Sequence, residues 1–329
     1  MKIGVVGAGV IVQDCLSALE TIEDIEIIAL WSLYNEVEKA NRIMDRYHIK
    51  TLYTEYKDML CDDQIDMVYL GIVNSMHYAF AKEALLAGKN VICEKPFTAT
   101  VNEALELQKI AKEKSLFLFE AMNTLYLPNY LELKEQLKRL PDIKIVRCNY
   151  SQYSQRYDNY LEGVILPVFD PVMAGGALMD INIYNVHFVY DLFGKPDAIC
   201  YFANKGHNGI DTSGILILKY DSFYVECCGA KDSSSPSEIV IQGKDSYIKL
   251  NGSPNICESF DVCVDNCIEH INVNVYEHRL INEFLAFRDM FLSKDFIQCD
   301  KYFQNTIGAL EIIESARKNA SIYFPSDEE

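Results

Sequence analysis

The sequence is short of positive charge: 30 Lys and Arg stand against 48 Asp and Glu, a formal charge of −18. A field of that sign repels phosphate backbones and anionic lipid surfaces, so nucleic acid and membranes are disfavoured as partners. An anionic cofactor would then have to be held by local features, namely backbone N–H groups and a helix terminus. No apolar run is long enough to cross a bilayer, and Met1-Lys2-Ile3-Gly4 leads straight into a strand pattern without signal-peptide architecture, so the expected location is the cytoplasm. The 11 cysteines are odd in number and scattered, which fits reduced, mostly buried thiols and not a disulfide framework. Cys257, Cys263 and Cys267 lie close in sequence but lack the paired short spacings of a zinc site, so no metal is expected. Internal repeats and low-complexity segments are also missing, and Ser326 to Glu329 alone reads as a frayed tail.

What is present is apolar mass: 50% of 329 residues, enough for two compact domains with real cores. Residues 2–6 read as a buried strand, followed by a glycine turn and a helix to about Thr21. Strands at Ile25–Leu30, Met67–Val73, Asn90–Cys93 and Leu116–Phe119 then alternate with helices at Glu36–Tyr47, His77–Ala87 and Val101–Lys114. The stretch between Tyr47 and Met67 reads as a Tyr/Thr-rich connection. This rhythm predicts a parallel, doubly wound sheet over residues 1–121.

After Ala121 the pattern changes. A helix at Pro128–Leu140 precedes strands with two-residue alternation at Ile143–Tyr150, Ala198–Phe202, Gly214–Tyr220, Phe223–Cys228, Glu238–Gln242 and Tyr247–Leu250. Tyr220-Asp221-Ser222, the polar run Lys231–Ser237 and Gly243-Lys244-Asp245 read as the turns between them. Helices at Tyr276–Ser293 and Lys301–Asn319 close the chain and are free to pack back on the first domain. The expected fold is α/β: a Rossmann domain, then a domain over 122–329 with an open, mainly antiparallel sheet. The open face of such a sheet needs cover, which predicts a homodimer or homotetramer formed through it.

The turn Gly7-Ala8-Gly9-Val10-Ile11-Val12 sits between the first strand and first helix, where glycines let a backbone approach a pyrophosphate lying on the helix N-terminus. A plain tight connection is the alternative. Val12 stands where the fingerprint has its third glycine, a substitution that bears mainly on helix-to-strand packing. The second strand ends Trp31-Ser32-Leu33-Tyr34-Asn35, with neither the carboxylate that binds ribose hydroxyls nor a basic residue for a 2′-phosphate. The missing carboxylate and the hydroxyl of Ser32 tilt the choice between NAD and NADP toward NADP. Lys39 or Arg42 could assist only if the helix turns them inward.

Three further segments carry a resemblance: Gly71-Ile72-Val73-Asn74-Ser75-Met76-His77, then Gly88-Lys89-Asn90-Val91-Ile92-Cys93-Glu94-Lys95-Pro96, then Gly175-Gly176-Ala177-Leu178-Met179-Asp180-Ile181-Asn182-Ile183-Tyr184. Together with the glycine turn they resemble the glucose-fructose oxidoreductase, inositol dehydrogenase and MocA (Gfo/Idh/MocA) family. A tyrosine at 184 and the segment Phe117-Leu118-Phe119-Glu120-Ala121-Met122 are similar to its branch of dimeric dihydrodiol dehydrogenase and xylose dehydrogenase relatives. The resemblance implies an oxidoreductase moving a hydride between NAD(P) and a CH–OH or C=O carbon of a sugar, cyclitol or dihydrodiol-like substrate, in a cleft between the two domains.

By the same resemblance Lys95 ends its strand beside the nicotinamide and hydrogen-bonds the reacting oxygen, and a cis bond is implied before Pro96. Glu94 and Pro96 flank it in the cofactor site, Asn74 lies by the nicotinamide half, and His77 lies near cofactor or substrate or simply caps its helix. Asp180 and Tyr184 are one helical turn apart and share a face, which suits a proton-transfer pair. Tyr184 is then the acid/base and Asp180 orients the substrate or the lysine; the plainer alternatives are a packing tyrosine and an N-cap aspartate. His187 and Arg156 are candidate substrate contacts, with packing and solvation as their alternatives. Two other functions stay open: a nicotinamide-binding sensor without turnover, and an enzyme whose tightly held cofactor is recycled in place.

Overall fold

Short strands that are buried along their whole length, such as Met67–Leu70, are stable only inside a sheet covered on both faces. The computed structural model, which describes residues 1–328, builds that sheet from β1 (Lys2–Val6), α1 (Val10–Leu19), β2 (Glu26–Trp31), α2 (Val37–Tyr47), β3 (Thr51–Tyr53), α3 (Tyr56–Leu60), β4 (Met67–Leu70), α4 (His77–Leu86), β5 (Asn90–Glu94), α5 (Val101–Lys114) and β6 (Leu118–Ala121). The strand order is β3-β2-β1-β4-β5-β6, every pairing parallel, the order of a doubly wound dinucleotide-binding sheet. Local chemistry sets the ends of α5: Thr100 Oγ1 accepts from the Glu103 amide at 3.3 Å and Glu103 Oε2 accepts from the Thr100 amide at 3.0 Å. That capping box, with Ser115 left-handed at φ 55° beyond the last turn, explains why its limits are plain in the sequence. By contrast β3 and α3 occupy the stretch read as a connection. A three-residue edge strand with every residue half-buried has no alternation to detect.

The rest of the chain adds α6 (Pro128–Gln136), β7 (Ile145–Ser151), α7 (Arg156–Leu161), α8 (Ile183–Phe193), β8 (Ala198–Lys205), β9 (Asp211–Lys219), β10 (Tyr224–Ala230), β11 (Glu238–Gln242), β12 (Ser246–Asn251), β13 (Ser259–Val264), β14 (Cys267–Ile271), α9 (Ile281–Ser293) and α10 (Phe296–Asn319). Strands β14-β13-β12-β11-β7-β10-β9-β8 form one sheet, antiparallel throughout except for the parallel pair β7 and β10. The β13–β14 hairpin lies in the region read only for its cysteines. Val264 pairs with Cys267 across a two-residue turn, Asp265-Asn266, whose φ values of 51° and 61° are those of a type I′ turn.

By Cα clustering the chain divides into Met1–Ala121 with Leu280–Gln304, and Met122–Arg279 with the residues from Asn305 onward. Within the first unit, α9 and the start of α10 cover the sheet with aromatic rings. Phe284 lies 5.9 Å from Tyr69, Phe287 4.6 Å from Phe119, and Phe296 stacks on Phe117 at 4.2 Å between ring centroids. Each such ring removes ~150–250 Å² from water, which outweighs any local preference for where the segment should end up. In the second unit the tail read as frayed is tied down. Pro325–Asp327 forms a short 3-10 turn, and Asp327 pairs with the buried Arg317; Glu329 lies outside the described residues. Among the described residues no helix is long and apolar enough to cross a membrane.

Candidate active site

The glycine turn is shaped by backbone proximity. Gly7 has φ +109°, and a Cβ there would lie 2.6 Å from the Gly71 carbonyl oxygen, so a side chain is excluded twice over. Ala8 is buried behind it. Gly9 is the N-cap of α1 with no side-chain cap, and a Cβ there would meet nothing nearer than 3.9 Å, so the backbone at the helix start is not crowded. Val10 is 73% exposed at the first helical position and Ile11 half-buried at the second. An uncapped helix start, reached by a turn with no side chain larger than the Ala8 methyl, fits the pyrophosphate of a dinucleotide. The missing third glycine has a structural answer. Val12 is fully buried, and a Cβ on Gly71 at the end of β4 would come 2.6 Å from Val12 Cγ2. The glycine has moved from helix to strand, and the close approach is kept.

At the end of β2, Trp31 is buried and donates to the Thr54 carbonyl at 3.2 Å. Ser32 is wholly buried, and its Oγ has no hydrogen-bond partner among the described residues. Tyr34 beyond it is 86% exposed. Lys39 pairs with Glu36 at 3.8 Å and Arg42 is exposed.

The loop after β5 holds Glu94, Lys95 and Pro96. Glu94 is buried and accepts from the Tyr69 hydroxyl at 2.8 Å, and the Lys95 amide donates to its other oxygen at 3.3 Å. The Lys95–Pro96 peptide is cis, and the Lys95 side chain is half-buried. Next to this turn the Phe97 amide donates to Glu120 at 3.1 Å. His77 is not the cap of α4: Met76 holds that position, and His77 is wholly buried as the first helical residue. Its Nδ1 faces the Pro96 carbonyl at 2.9 Å and its Nε2 the Ile72 carbonyl at 3.1 Å, so it clamps the β4 loop to the proline turn. Burial pushes its imidazole below the ordinary histidine value, against the opposing pull of those carbonyls. Asn74, half-buried, opens the 3-10 turn Asn74–Met76 on the same loop.

In the second unit the Gly175-Gly176 pair is forced by crowding. A Cβ on Gly175 would lie 2.5 Å from the Pro167 carbonyl oxygen, and one on Gly176, at φ +104°, 2.2 Å from Asp211 Oδ1. The buried Asp211 at the head of β9 accepts from the Leu178 amide at 2.6 Å and the Tyr201 hydroxyl at 2.7 Å, so it anchors the helix start that follows. Burial raises its carboxyl, and the bonds from Tyr201 and the Leu178 amide oppose the rise. The segment Leu178–Asn182 is a π-turn that runs into α8. The wider i→i+5 turn spans Asp180 and gives way to α8 at Ile183, one residue before Tyr184. Its far end is tied to the sheet: Asn182 donates to the Cys227 carbonyl at 3.0 Å, Asn185 donates to the Cys228 carbonyl at 3.1 Å, and Gly229 leaves room for Asn182.

Asp180 is half-buried and forms an ion pair with Lys231; Tyr184 is 8% exposed with the Tyr150 ring 5.8 Å away. His187 is wholly buried with Nδ1 2.7 Å from Asn305 Oδ1, and Arg156 is exposed at the start of α7. Sequence reasoning missed Asp211 and Lys231. Lys231 opens a polar run that reads as a turn, but its side chain is only 11% exposed. No motif spacing links either to Asp180; strand register alone brings them there. Among the described residues no group of three or more His, Cys, Asp or Glu could hold a metal ion.

The first unit is thus a dinucleotide-binding Rossmann fold, and the second presents a polar helix start against an antiparallel sheet. Residues 1–122 match the Gfo/Idh/MocA family model, described as an oxidoreductase family with an NAD-binding Rossmann fold. The whole chain aligns at 29% identity with 99% of the scyllo-inositol 2-dehydrogenase (NADP(+)) IolU of Bacillus subtilis. It aligns at 28% identity with trans-1,2-dihydrobenzene-1,2-diol dehydrogenase of Homo sapiens, covering 79% of this chain and 83% of that protein. In fold it is similar to the 3-ketoreductase KijD10 of Actinomadura kijaniata, solved with NADP and TDP-benzene: TM-score 0.86, 18% identity, 97% of each chain covered.

Proposed function

We propose that the protein is an NAD(P)-dependent dehydrogenase that transfers a hydride between nicotinamide and a CH–OH or C=O carbon of a small polyhydroxylated molecule, a sugar, cyclitol or dihydrodiol-like compound. The observation that carries the reading is the turn at Gly7 to Gly9, where backbone crowding excludes a side chain at Gly7 and the helix start at Gly9 carries no side-chain cap. The substrate class follows the relatives: IolU is named for scyllo-inositol and the human protein for a dihydrodiol. The absence of a carboxylate after β2 and the buried hydroxyl of Ser32 favour NADP, in keeping with the cofactor in the name of IolU.

When bound, the nicotinamide supplies the carbon that takes or gives the hydride. The chain's own groups do the rest. Gly7, Ala8, Gly9, Val10 and Ile11 cradle the phosphates. Ser32 attends the ribose, while Asn74, His77, Glu94 and Pro96 frame the nicotinamide half, His77 and Glu94 by fixing the backbone from beneath. Lys95 Nζ hydrogen-bonds the reacting oxygen, where negative charge develops as the hydride leaves. Tyr184 Oη exchanges the proton of that oxygen, and Asp180 orients the substrate. His187 and Arg156 are weaker candidates for contact with the outer hydroxyls.

The outer face of the second sheet carries Phe202 beside Ile215 and Tyr224 beside Ile145, all at least 40% exposed. The need to cover this exposed apolar face supports a homodimer or homotetramer, and the acidic composition suits the cytoplasm. A panel of polyols and aldoses with NAD and NADP, followed at the absorbance of reduced nicotinamide, tests the activity. We expect turnover in the wild type and a fall of at least ~100-fold in Lys95→Met, the scale of a lost general-acid or oxyanion contact. Equal rates in both proteins would remove Lys95 from the mechanism. Dinucleotide binding without turnover on any member of the panel would favour a sensor.

A further inference from the structure

Tyr69 is the third residue of β4, the strand between β1 and β5, and is wholly buried. In the parallel register it stands opposite Ile92, so Glu94, two residues further along β5, lies on the same face of the sheet. The Tyr69 hydroxyl donates to Glu94 Oε1 at 2.8 Å, and Glu94 Oε2 accepts from the Lys95 amide at 3.3 Å. The far side of the same turn is gripped separately: His77 Nδ1 faces the Pro96 carbonyl at 2.9 Å, and the Phe97 amide donates to Glu120 at 3.1 Å. All of these residues belong to the first unit. Packing does not call for the hydroxyl. Phe284, whose ring centroid lies 5.9 Å from that of Tyr69, fills the same core without a polar atom. A buried phenol and a buried carboxylate each destabilise the fold unless they are bonded, and here they bond to one another at the foot of the Lys95 turn. Burial foremost, then the neighbouring Cys15 and Glu94, holds the Tyr69 hydroxyl well above its ordinary value, so it stays a donor.

We propose that Tyr69 is a positioning residue of this reaction: by holding one oxygen of Glu94 it aims the other at the Lys95 amide, and so fixes the backbone from which the lysine side chain springs. The inference rests on the role proposed for Lys95. A lysine ammonium sits at the end of a flexible four-carbon stem, so it is placed no better than its own backbone. Glu94 in turn has rotatable bonds of its own, and the bond from Tyr69 selects an orientation in which Oε2 meets the amide. Loss of that bond widens the range of orientations open to the carboxylate, whatever else it touches. The near side of the turn then loosens, while His77 and Glu120 keep their grip on the far side. The expected defect is one of aim and not of folding. The turn survives, the dinucleotide still binds over Gly7 to Gly9, and the ammonium spends less time at the reacting oxygen.

The test is a double-mutant cycle in steady-state kinetics, with the polyol or aldose of the panel that the wild type turns over fastest. Tyr69→Phe, which keeps the ring and removes the hydroxyl, should lower kcat by about tenfold, the scale of a reacting group held slightly out of place, and change KM for the dinucleotide by less than about twofold. In a Lys95→Met background the same substitution should change the residual kcat by less than about twofold, because the group it aims is gone. A substitution that merely reduced the folded fraction would lower kcat by the same factor in both backgrounds, so the cycle separates positioning from structure. Glu94→Asp, too short to meet both Tyr69 and the Lys95 amide, should show the same dependence on Lys95 and serves if Tyr69→Phe does not fold. An unchanged kcat in Tyr69→Phe, or an equal fall with and without Lys95, overturns the proposal. If Lys95→Met itself turns over at the wild-type rate, the role of Lys95 fails. If Lys95→Met is impaired while Tyr69→Phe is not, the failure belongs to Tyr69 alone.

Discussion

Placing an alanine at Gly71 would bring a methyl group 2.6 Å from Val12 Cγ2 and 3.1 Å from Tyr69 Cε1. Carbon atoms at rest sit ~3.5–4.0 Å apart, so α1 or the end of β4 must shift, at a cost of ~1–3 kcal/mol for an overpacked core. Val12→Ala alone removes two fully buried methyl groups, ~1.6 kcal/mol by transfer at ~0.8 each, and about 2 kcal/mol once the cavity is counted. Independent effects would sum to ~3–5 kcal/mol in the double variant. The geometry predicts otherwise, because the new methyl at 71 enters the space that Val12 has vacated; the double variant should lose only ~1–2 kcal/mol, a coupling of about 2 kcal/mol. Trp31 is the chain's single tryptophan and is buried on β2, so its fluorescence during urea unfolding reports on the first unit. Single-variant costs that add to within ~0.5 kcal/mol would refute the idea that Val12 and Gly71 exchange the roles of the fingerprint's third glycine.

His77 gives a pH prediction. Its folded value lies below the ordinary ~6.5, so the unfolded chain takes up the proton first, and stability falls as pH drops below ~6.5 until the folded value is reached. Urea midpoints from pH 8 to pH 5 should show that slope in the wild type and a shallower one in His77→Gln; parallel slopes would count against it. For Asp327, burial alone would raise the carboxyl, but the hydrogen bonds from Arg317 and the Phe324 amide, with the charges of Arg317 and Lys318, together hold it below the usual range. With side chains 1% and 6% exposed, Asp327→Ala takes the carboxylate away from a buried guanidinium and should cost ~3–5 kcal/mol, seen as a lower melting temperature; an unchanged one would mean the tail carries no stability. Aspartate at Phe202 and Tyr224 should turn an oligomer into a monomer in light scattering, and a wild-type protein that is already monomeric would end that prediction.

Much of the Rossmann unit could be read from sequence because its signals are local. The apolar run of β4, the turn at Gly7 to Gly9 and the capping box at Thr100 and Glu103 each act over a few residues, within the reach of one hydrogen bond or one helical turn. The same holds for Glu94-Lys95-Pro96 as a motif. What failed was either too short to have a period, as with β3, or dependent on a turn whose chemistry went unused, as with Asp265-Asn266 before β14. Asp180 and Tyr184 are legible as a pair, but the π-turn that holds Asp180 is not. Whether a turn is α or π is decided by what grips its two ends.

The amino-acid sequence alone determined most of the order of strands and helices, the glycine turn and the identity of the candidate reactive groups, because these depend on periodicity and on neighbours a few positions away. Tertiary structure decided which distant residues became partners. It brought Leu280–Gln304 to the first unit, put Gly71 under Val12, turned His77 inward, and set Lys231 against Asp180 across 51 positions of chain. Contacts of that kind follow from sheet register and the burial of aromatic surface, which are properties of the assembled core and have no repeat in the linear sequence.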